Sequence, residues 1–414
     1  MAELQDELHP TTAVGETPLE EPFGGVTDEM PAGMNVGEAS GVAENDTATD
    51  TPYPPAPLAR ARQLLADHPV ADGHGTLPWA LRGLPWYDLE LGETGVDTDI
   101  PRLREGQVGA VLWALHLPRP TDRPVAVTLE QIDLVRAIVA AHPEGLRTAR
   151  TAGQVIDARN CGRVAVLLGP AGAPALDDSL AVLRVLHSLG LRALTLAGTS
   201  WASEAGLSRF GEEVVREMNR LGVVPDLSGA SDATIVRALA LSKSPVLCTR
   251  SAARALRPHP DNLSDDLLAA LGRAKGVCMV PLTADQTGPA LEDVADHLDH
   301  IRAVAGPASV ALSGVYDSPA AHPEGLPDPS AYPHLITELL RRGWPDSDIA
   351  LLTWENLQRV LRSADFLSRA AQDRREPSTA TREELDGRPG TGTGPAPVRS
   401  GTGRTDARPG PGTP

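Results

Sequence analysis

The sequence predicts a single (β/α)8 barrel, an α/β fold of the TIM type, with a disordered tail at each end. Three observations carry this. Eight short apolar runs alternate with longer segments of helical period between residues 69 and 312. The stretch between the compositional breaks, residues 57–370, has the length of one barrel of roughly 250 residues with insertions. Neither nucleotide-binding signature of an open doubly wound sheet is present: no G-x-G-x-x-G follows the first apolar run, and no G-x-x-x-x-G-K occurs.

The elements follow in order. Residues 69–73 form the first candidate strand and 109–115 the second. Segment 129–141 then carries Ile132, Val135, Ile138 and Val139, the three-and-four spacing of one buried helix face. Strand three is 163–168, helix 180–189 follows, and strand four is 192–196. Helix 212–221 leads to strand five at 223–227, and helix 234–241 to strand six at 245–248. Helix 263–271 precedes strand seven at 276–281, and helix 293–304 precedes strand eight at 310–312. Runs of this kind, alternating with helices, specify a parallel sheet covered on its faces.

Charge separates tails from fold. The chain has 414 residues and a formal net charge of −18. Residues 1–59 contain twelve Asp or Glu and no Lys or Arg, and residues 371–414 contain six acidic and seven basic side chains, which leaves −7 for the middle. Residues 1–56 and 371–414 are rich in Gly, Pro, Thr and charge. They hold too little apolar surface to offset chain entropy, so both are expected to be disordered. The acidic balance argues against a nucleic-acid partner. No run of 18 apolar residues exists, so no membrane span is expected. The start lacks a basic segment followed by an apolar run, so no secretory leader is expected. Cys161, Cys248 and Cys278 form no CxxC pair, which points to a reducing, cytoplasmic setting.

In such a barrel the chemistry lies at the C-terminal ends of the strands. Here those ends offer Asp72 and His74 after strand one, His116 after strand two, Asp226 after strand five, Arg250 after strand six and Asp317 after strand eight. Trp354, in a late loop, is a further candidate for the mouth, as are Trp79 and Trp201. Each has a plain alternative. His74 and His116 read as hydrogen-bonded or pocket-wall histidines, and Trp79, Trp201 and Trp354 as plugs for an emptied polar cavity. Arg250 either points to solvent or takes the place of a metal by pairing with Asp72, Asp226 or Asp317. Asp296-His297-Leu298-Asp299-His300 looks like a metal cluster, but it falls on a helix away from the mouth and reads as a polar helix face.

Four segments resemble the membrane dipeptidase (renal dipeptidase) family of zinc peptidases: GLSRFGEEVVREMNRLG at 206–222, IPRLREG at 100–106, DVADHLDHIR at 293–302 and GLPDPSAYP at 325–333. The resemblance runs collinearly over nearly all of residues 60–365 and implies the same barrel. The family it points to carries two zinc ions, and the resemblance places only one of their ligands on a donor here, His74. The other ligand positions fall on Thr76, Ala171, Gly229, Arg250 and Val315. The family's substrate-contacting His and carboxylate-binding Arg fall on Gly198 and Asp261, and its late Gly-Gly-Asn falls on Trp354-Glu355-Asn356. Thr, Ala, Gly and Val cannot replace a carboxylate or imidazole, and a guanidinium repels a cation.

These residues lead to a dipeptidase-like barrel with a degenerate zinc site, catalytically inactive, in a binding, scaffolding or regulatory role. No cofactor is then expected. The alternative is a metal-dependent dipeptidase that holds zinc unconventionally through His74, Asp72, Asp226 and Asp317. A short peptide or small molecule is the expected ligand. By resemblance, the chain is expected to form a homodimer or to pair with an active relative.

Overall fold

A computed structural model describes residues 55–84, 86–118 and 121–387. Most of the acidic segment 1–56, and residues 388–414 of the C-terminal one, lie outside the described residues.

Among the described residues, eight strands follow one another in a parallel sheet: β1 (Val70–Gly75), β2 (Val108–Leu115), β3 (Val164–Gly172), β4 (Ala193–Thr195), β5 (Val224–Asp226), β6 (Leu247–Cys248), β7 (Val277–Pro281) and β8 (Val310–Ser313). Each coincides with one of the runs the sequence predicts. The pairing puts Ala110 beside Ala165, Leu194 beside Pro225 and Cys278 beside Val310, with register shifts in the β1–β2 and β2–β3 pairs. The seam between β8 and β1 is closed above the strands. There Val315 N donates to His74 O at 2.8 Å, and Thr76 N donates to Tyr316 O at 3.1 Å. The fold is therefore a nearly closed (β/α)8 barrel.

Two features between β2 and β3 carry no clear sequence signal. A three-residue strand, Leu146–Thr148, pairs with the start of β3, and a short helix, Ala152–Asn160, follows it. The remaining helices are placed by simple chemistry. Helices starting at Ala152, Leu180, Arg209 and Asp232 follow Thr151, Ser179, Ser208 and Ser231, and each of those hydroxyls accepts a first-turn N–H. Each such cap is worth about 1 kcal/mol. Helix Arg209–Leu221 buries Val214, Val215, Met218 and Leu221 on one face and ends at Gly222, whose φ of 80° suits a residue without Cβ.

Strand alternation sorts the interior. Ala71, Ala110, Leu112, Ala165, Leu167, Ala193, Val224, Leu247, Val277, Met279 and Ala311 form the inner layer. Stepping two residues further along each strand brings Thr195, Asp226 and Ser313 to the next layer, at the C-terminal end. The opposite end is floored by the turn Leu351–Glu355 and helix Asn356–Gln372, whose Leu357, Val360, Leu361 and Ala364 join the inner layer. Trp354 belongs to that floor. A Cβ on Gly109, at the start of β2, would lie 3.0 Å from its ring. The expectation that Trp354 lines the mouth is thus corrected: it is at the other end of the barrel.

The boundary at residue 370 is also displaced. Helix Asn356–Gln372 runs past it, and a further helix, Arg382–Asp386, lies against the barrel. Asp386 accepts from Ser208 Oγ at 2.6 Å and from Phe210 N at 3.0 Å, and Arg382 donates to Ser200 Oγ at 2.6 Å.

Candidate ligand site at the barrel mouth

Asp72 and His74 lie on β1 and are buried. Asp72 Oδ1 accepts from His74 N (3.0 Å) and Gly314 N (2.8 Å), and Oδ2 accepts from Tyr332 OH (2.8 Å). Burial pushes its carboxyl up to about 6, against those three hydrogen bonds. This carboxylate ties the start of the barrel to its end and leaves neither oxygen free. His74 Nδ1 is buried without a partner. Burial, then the charges of Arg250 and His116, holds its imidazole well below the usual histidine range.

Asp226, at the end of β5, is the hub of a second network. Oδ1 accepts from Ser228 Oγ (2.8 Å), Ser228 N (3.3 Å) and Thr249 N (2.8 Å), and Oδ2 accepts from Thr195 Oγ1 (2.6 Å). It joins β4, β5 and the loop after β6. Asp317 follows β8. Its Oδ1 accepts from Asp97 N (2.7 Å) and Thr98 N (3.3 Å), while Asp317 N donates to Asp97 Oδ2 (2.8 Å). Burial pushes the Asp317 carboxyl up to about 6. It is directed at the 97–98 loop.

The Arg250 guanidinium therefore pairs with none of Asp72, Asp226 or Asp317, which corrects the expected metal-replacing ion pair. Its main chain is fixed: Arg250 N donates to Ser228 Oγ at 2.9 Å, and Arg250 O accepts from Gln286 Nε2 at 3.3 Å. His116 lies at the rim. Gln131 holds its backbone N and O at 2.8 and 2.5 Å, and its ring packs against Trp79 at 4.6 Å with the planes tilted by 53°. Arg82 covers the other part of Trp79 at 4.1 Å. Trp201 is buried, edge-on to Phe210, and donates Nε1–H to Asp178 at 2.9 Å.

The positions that the resemblance assigns to ligands keep their backbone roles. Thr76 Oγ1 donates to Tyr316 O at 3.0 Å. Gly229 has φ 66°, and a Cβ there would lie 3.4 Å from Asp261 Oδ1. Val315 has φ 55°, a left-handed conformation that a β-branched residue rarely adopts and that Asp tolerates far better. The seam hydrogen bond from Val315 N holds it there.

These donors do not fit a pair of zinc ions. Among the described residues, no three His, Cys, Asp or Glu side chains are grouped so that they could hold a metal. Asp72 and Asp226 spend both oxygens on hydrogen bonds, and Arg250 brings a fixed positive charge to the same end of the barrel. The Asp296–His300 helix is no substitute. His297, expected on a polar face, is buried, with Nδ1 accepting from Ala253 N at 3.0 Å, and burial pushes its imidazole down to about 4. His300 pairs with Asp265 at 2.7 Å.

Comparison with known proteins agrees with the architecture. A family model described as membrane dipeptidase (peptidase family M19) matches residues 58–375. Dipeptidase 3 of Mus musculus is 40% identical over 331 residues, covering 74% of this chain and 66% of the mouse protein. Dipeptidase verJ of Clonostachys rogersoniana is 34% identical over 344 residues, covering 75% of this chain and 88% of that protein. The chain thus spans just under two thirds of the mouse relative's length. Among solved structures, the probable dipeptidase PvdM from Pseudomonas aeruginosa superposes with TM-score 0.67 at 20% identity, over 76% of this chain and 100% of that one. A metallo peptidase from Rhodobacter sphaeroides, solved with a phosphinate mimic of the dipeptide L-Ala-D-Ala, gives 0.66 at 24% identity, over 72% and 99%.

Proposed function

The chain belongs to the membrane dipeptidase family, and from that premise we propose that it is a non-catalytic member, a binding or regulatory barrel that does not use the family's zinc chemistry. One observation carries the reading: among the described residues no three His, Cys, Asp or Glu side chains are grouped to hold a metal, in keeping with the resemblance, which places five of the family's ligand positions on Thr76, Ala171, Gly229, Arg250 and Val315. A hydrolytic zinc needs about three protein ligands and an open position to make a nucleophilic water near neutral pH. His74 alone cannot supply that. The scaffold is kept while the donors differ, so the barrel still forms and still presents a mouth. Self-association, or pairing with a catalytically competent relative, belongs to the same reading; light scattering and co-purification test it.

A second reading has support from the relatives, which are named as dipeptidases. In it, His74, Asp72, Asp226 and Asp317 hold a metal and the chain cleaves short peptides. In that reading the metal would share carboxylates of Asp72 and Asp226 that already accept hydrogen bonds of 2.6–2.8 Å. Hydrolysis of a dipeptide panel, measured with added zinc and with chelator, separates the two. No turnover in either condition is the result expected of the first reading. Zinc-dependent turnover supports the second.

A further inference from the structure

Arg250 has a fixed main chain and an uncommitted head. The guanidinium is only partly exposed, its Nε is buried without a partner, and among the described residues it makes no side-chain hydrogen bond or ion pair. A guanidinium cannot shed its charge, so partial burial without a counter-ion is costly unless something else supplies one. The neighbouring carboxylates do not. Asp72 and Asp226 are bonded to Tyr332 and to Thr195, Ser228 and Thr249, and Asp317 Oδ1 to the 97–98 loop; Asp317 Oδ2 is buried without a partner and forms no ion pair with Arg250.

Other polar groups at this end of the barrel are also unsatisfied. His74 Nδ1, Thr283 Oγ1 and Ser313 Oγ are buried and have no partner, in residues that are 7%, 2% and 0% exposed. Ser313 follows Ala311 of the inner layer by the two-residue alternation of β8, so it belongs to the interior face. Thr283 follows the end of β7 by two residues. Arg250, Thr283, Ser313 and His74 stand at or just past the ends of β6, β7, β8 and β1, which follow one another around the barrel; Leu282 N donates to Ser313 O at 2.9 Å, and Val315 N to His74 O at 2.8 Å. Buried hydroxyls and imidazoles are normally paired, so several unpaired ones at the same end of the barrel as an unpaired cation point to a polar binding site.

We propose that the mouth binds a small oxyanion, in the first place a carboxylate, with the Arg250 guanidinium as counter-ion and His74, Thr283 and Ser313 as hydrogen-bonding partners. This rests on the non-catalytic reading, in which no zinc occupies the strand ends and the Arg250 charge is left to bind an anion. The electrostatics of the site are inverted relative to a metal centre: the protein supplies the cation and the ligand brings the anion. A carboxylate matches the planar donor fork of a guanidinium and carries one charge. Phosphate matches the fork too, but its second charge meets Asp72, Asp226 and Asp317 nearby.

The test is calorimetric titration of the full chain, stripped of metal with EDTA, in a chloride background of constant ionic strength. Sodium acetate and sodium phosphate are the two probes. The expected result is saturable acetate binding with one site per chain, and weaker phosphate binding. Arg250→Gln should weaken acetate by at least about tenfold. Ser313→Ala keeps the charge and should weaken it by about threefold, which guards against an Arg250 variant that fails to fold. Absence of saturable binding, or acetate binding that neither variant changes, overturns the proposal. Phosphate binding without acetate binding overturns the carboxylate assignment. Turnover by zinc-loaded protein would instead count against the non-catalytic reading, and the stripped-protein titration reports separately from it.

Discussion

At the residue scale, the groups to test are Arg250 and the buried carboxylates. Arg250 has no protein partner to lose, so Arg250→Ala should leave the melting temperature unchanged or raise it. A fall of several degrees would show that the guanidinium braces the fold. Asp317 gives a pH prediction with a definite sign. Its folded-state value is raised to about 6, above the unfolded carboxylate value, so the native state holds the proton more tightly. Stability from this group is present at low pH and is lost as pH rises from about 4 through 6. Asp317→Asn removes the ionisation, so it should raise the melting temperature more at pH 8 than at pH 5. Equal effects at both pH values would contradict the assignment. Arg192 and Asp365 are a different case, a buried pair at 2.7 Å with exposures of 6% and 10%. Asp365 Oδ2 also accepts from Ala152 N at 2.8 Å. Asp365→Ala strands a buried guanidinium and should cost about 3–5 kcal/mol in urea unfolding.

At the element scale, the barrel strands were legible because each is a short apolar run, most of them separated by segments of helical period. The helices were legible through their apolar spacing, but four of the six starts were read late. Caps such as Ser208 and Ser231 lie before the first apolar residue, so a reading that begins at the apolar face misses a turn. Leu146–Thr148 is too short to show a period. Trp354 was misplaced because its own run is followed by a long amphipathic helix whose destination, floor or mouth, is a tertiary matter. His297 was read as exposed from its polar neighbours, yet it faces Ala253 across the loop after β6. The C-terminal helix Arg382–Asp386 is polar, with no buried residue, and docks through hydrogen bonds that composition does not reveal. Asp386 caps the helix that begins at Arg209, so Asp386→Ala should cost about 1 kcal/mol of stability in urea unfolding. No change would place that contact among dispensable surface pairs.

At the scale of the whole molecule, the proposed reading sets a retained scaffold against an altered mouth. The collinear match over 58–375 and the barrel superpositions set the fold. The mouth was partly legible. The resemblance places ligand positions on Ala171, Gly229 and Val315, residue types with no chemistry to offer a metal. The partners of the remaining groups could not be read. Tyr332 and Thr195, which hold Asp72 and Asp226, are far from them in sequence, and only the closed barrel brings them together. The central claim is that the strand ends no longer carry a zinc pair. Its most direct test is the zinc content of the full chain, purified without chelator and measured by elemental mass spectrometry. The account predicts far less than one zinc per chain. A content of about two per chain, the stoichiometry of a two-metal hydrolase, would contradict it.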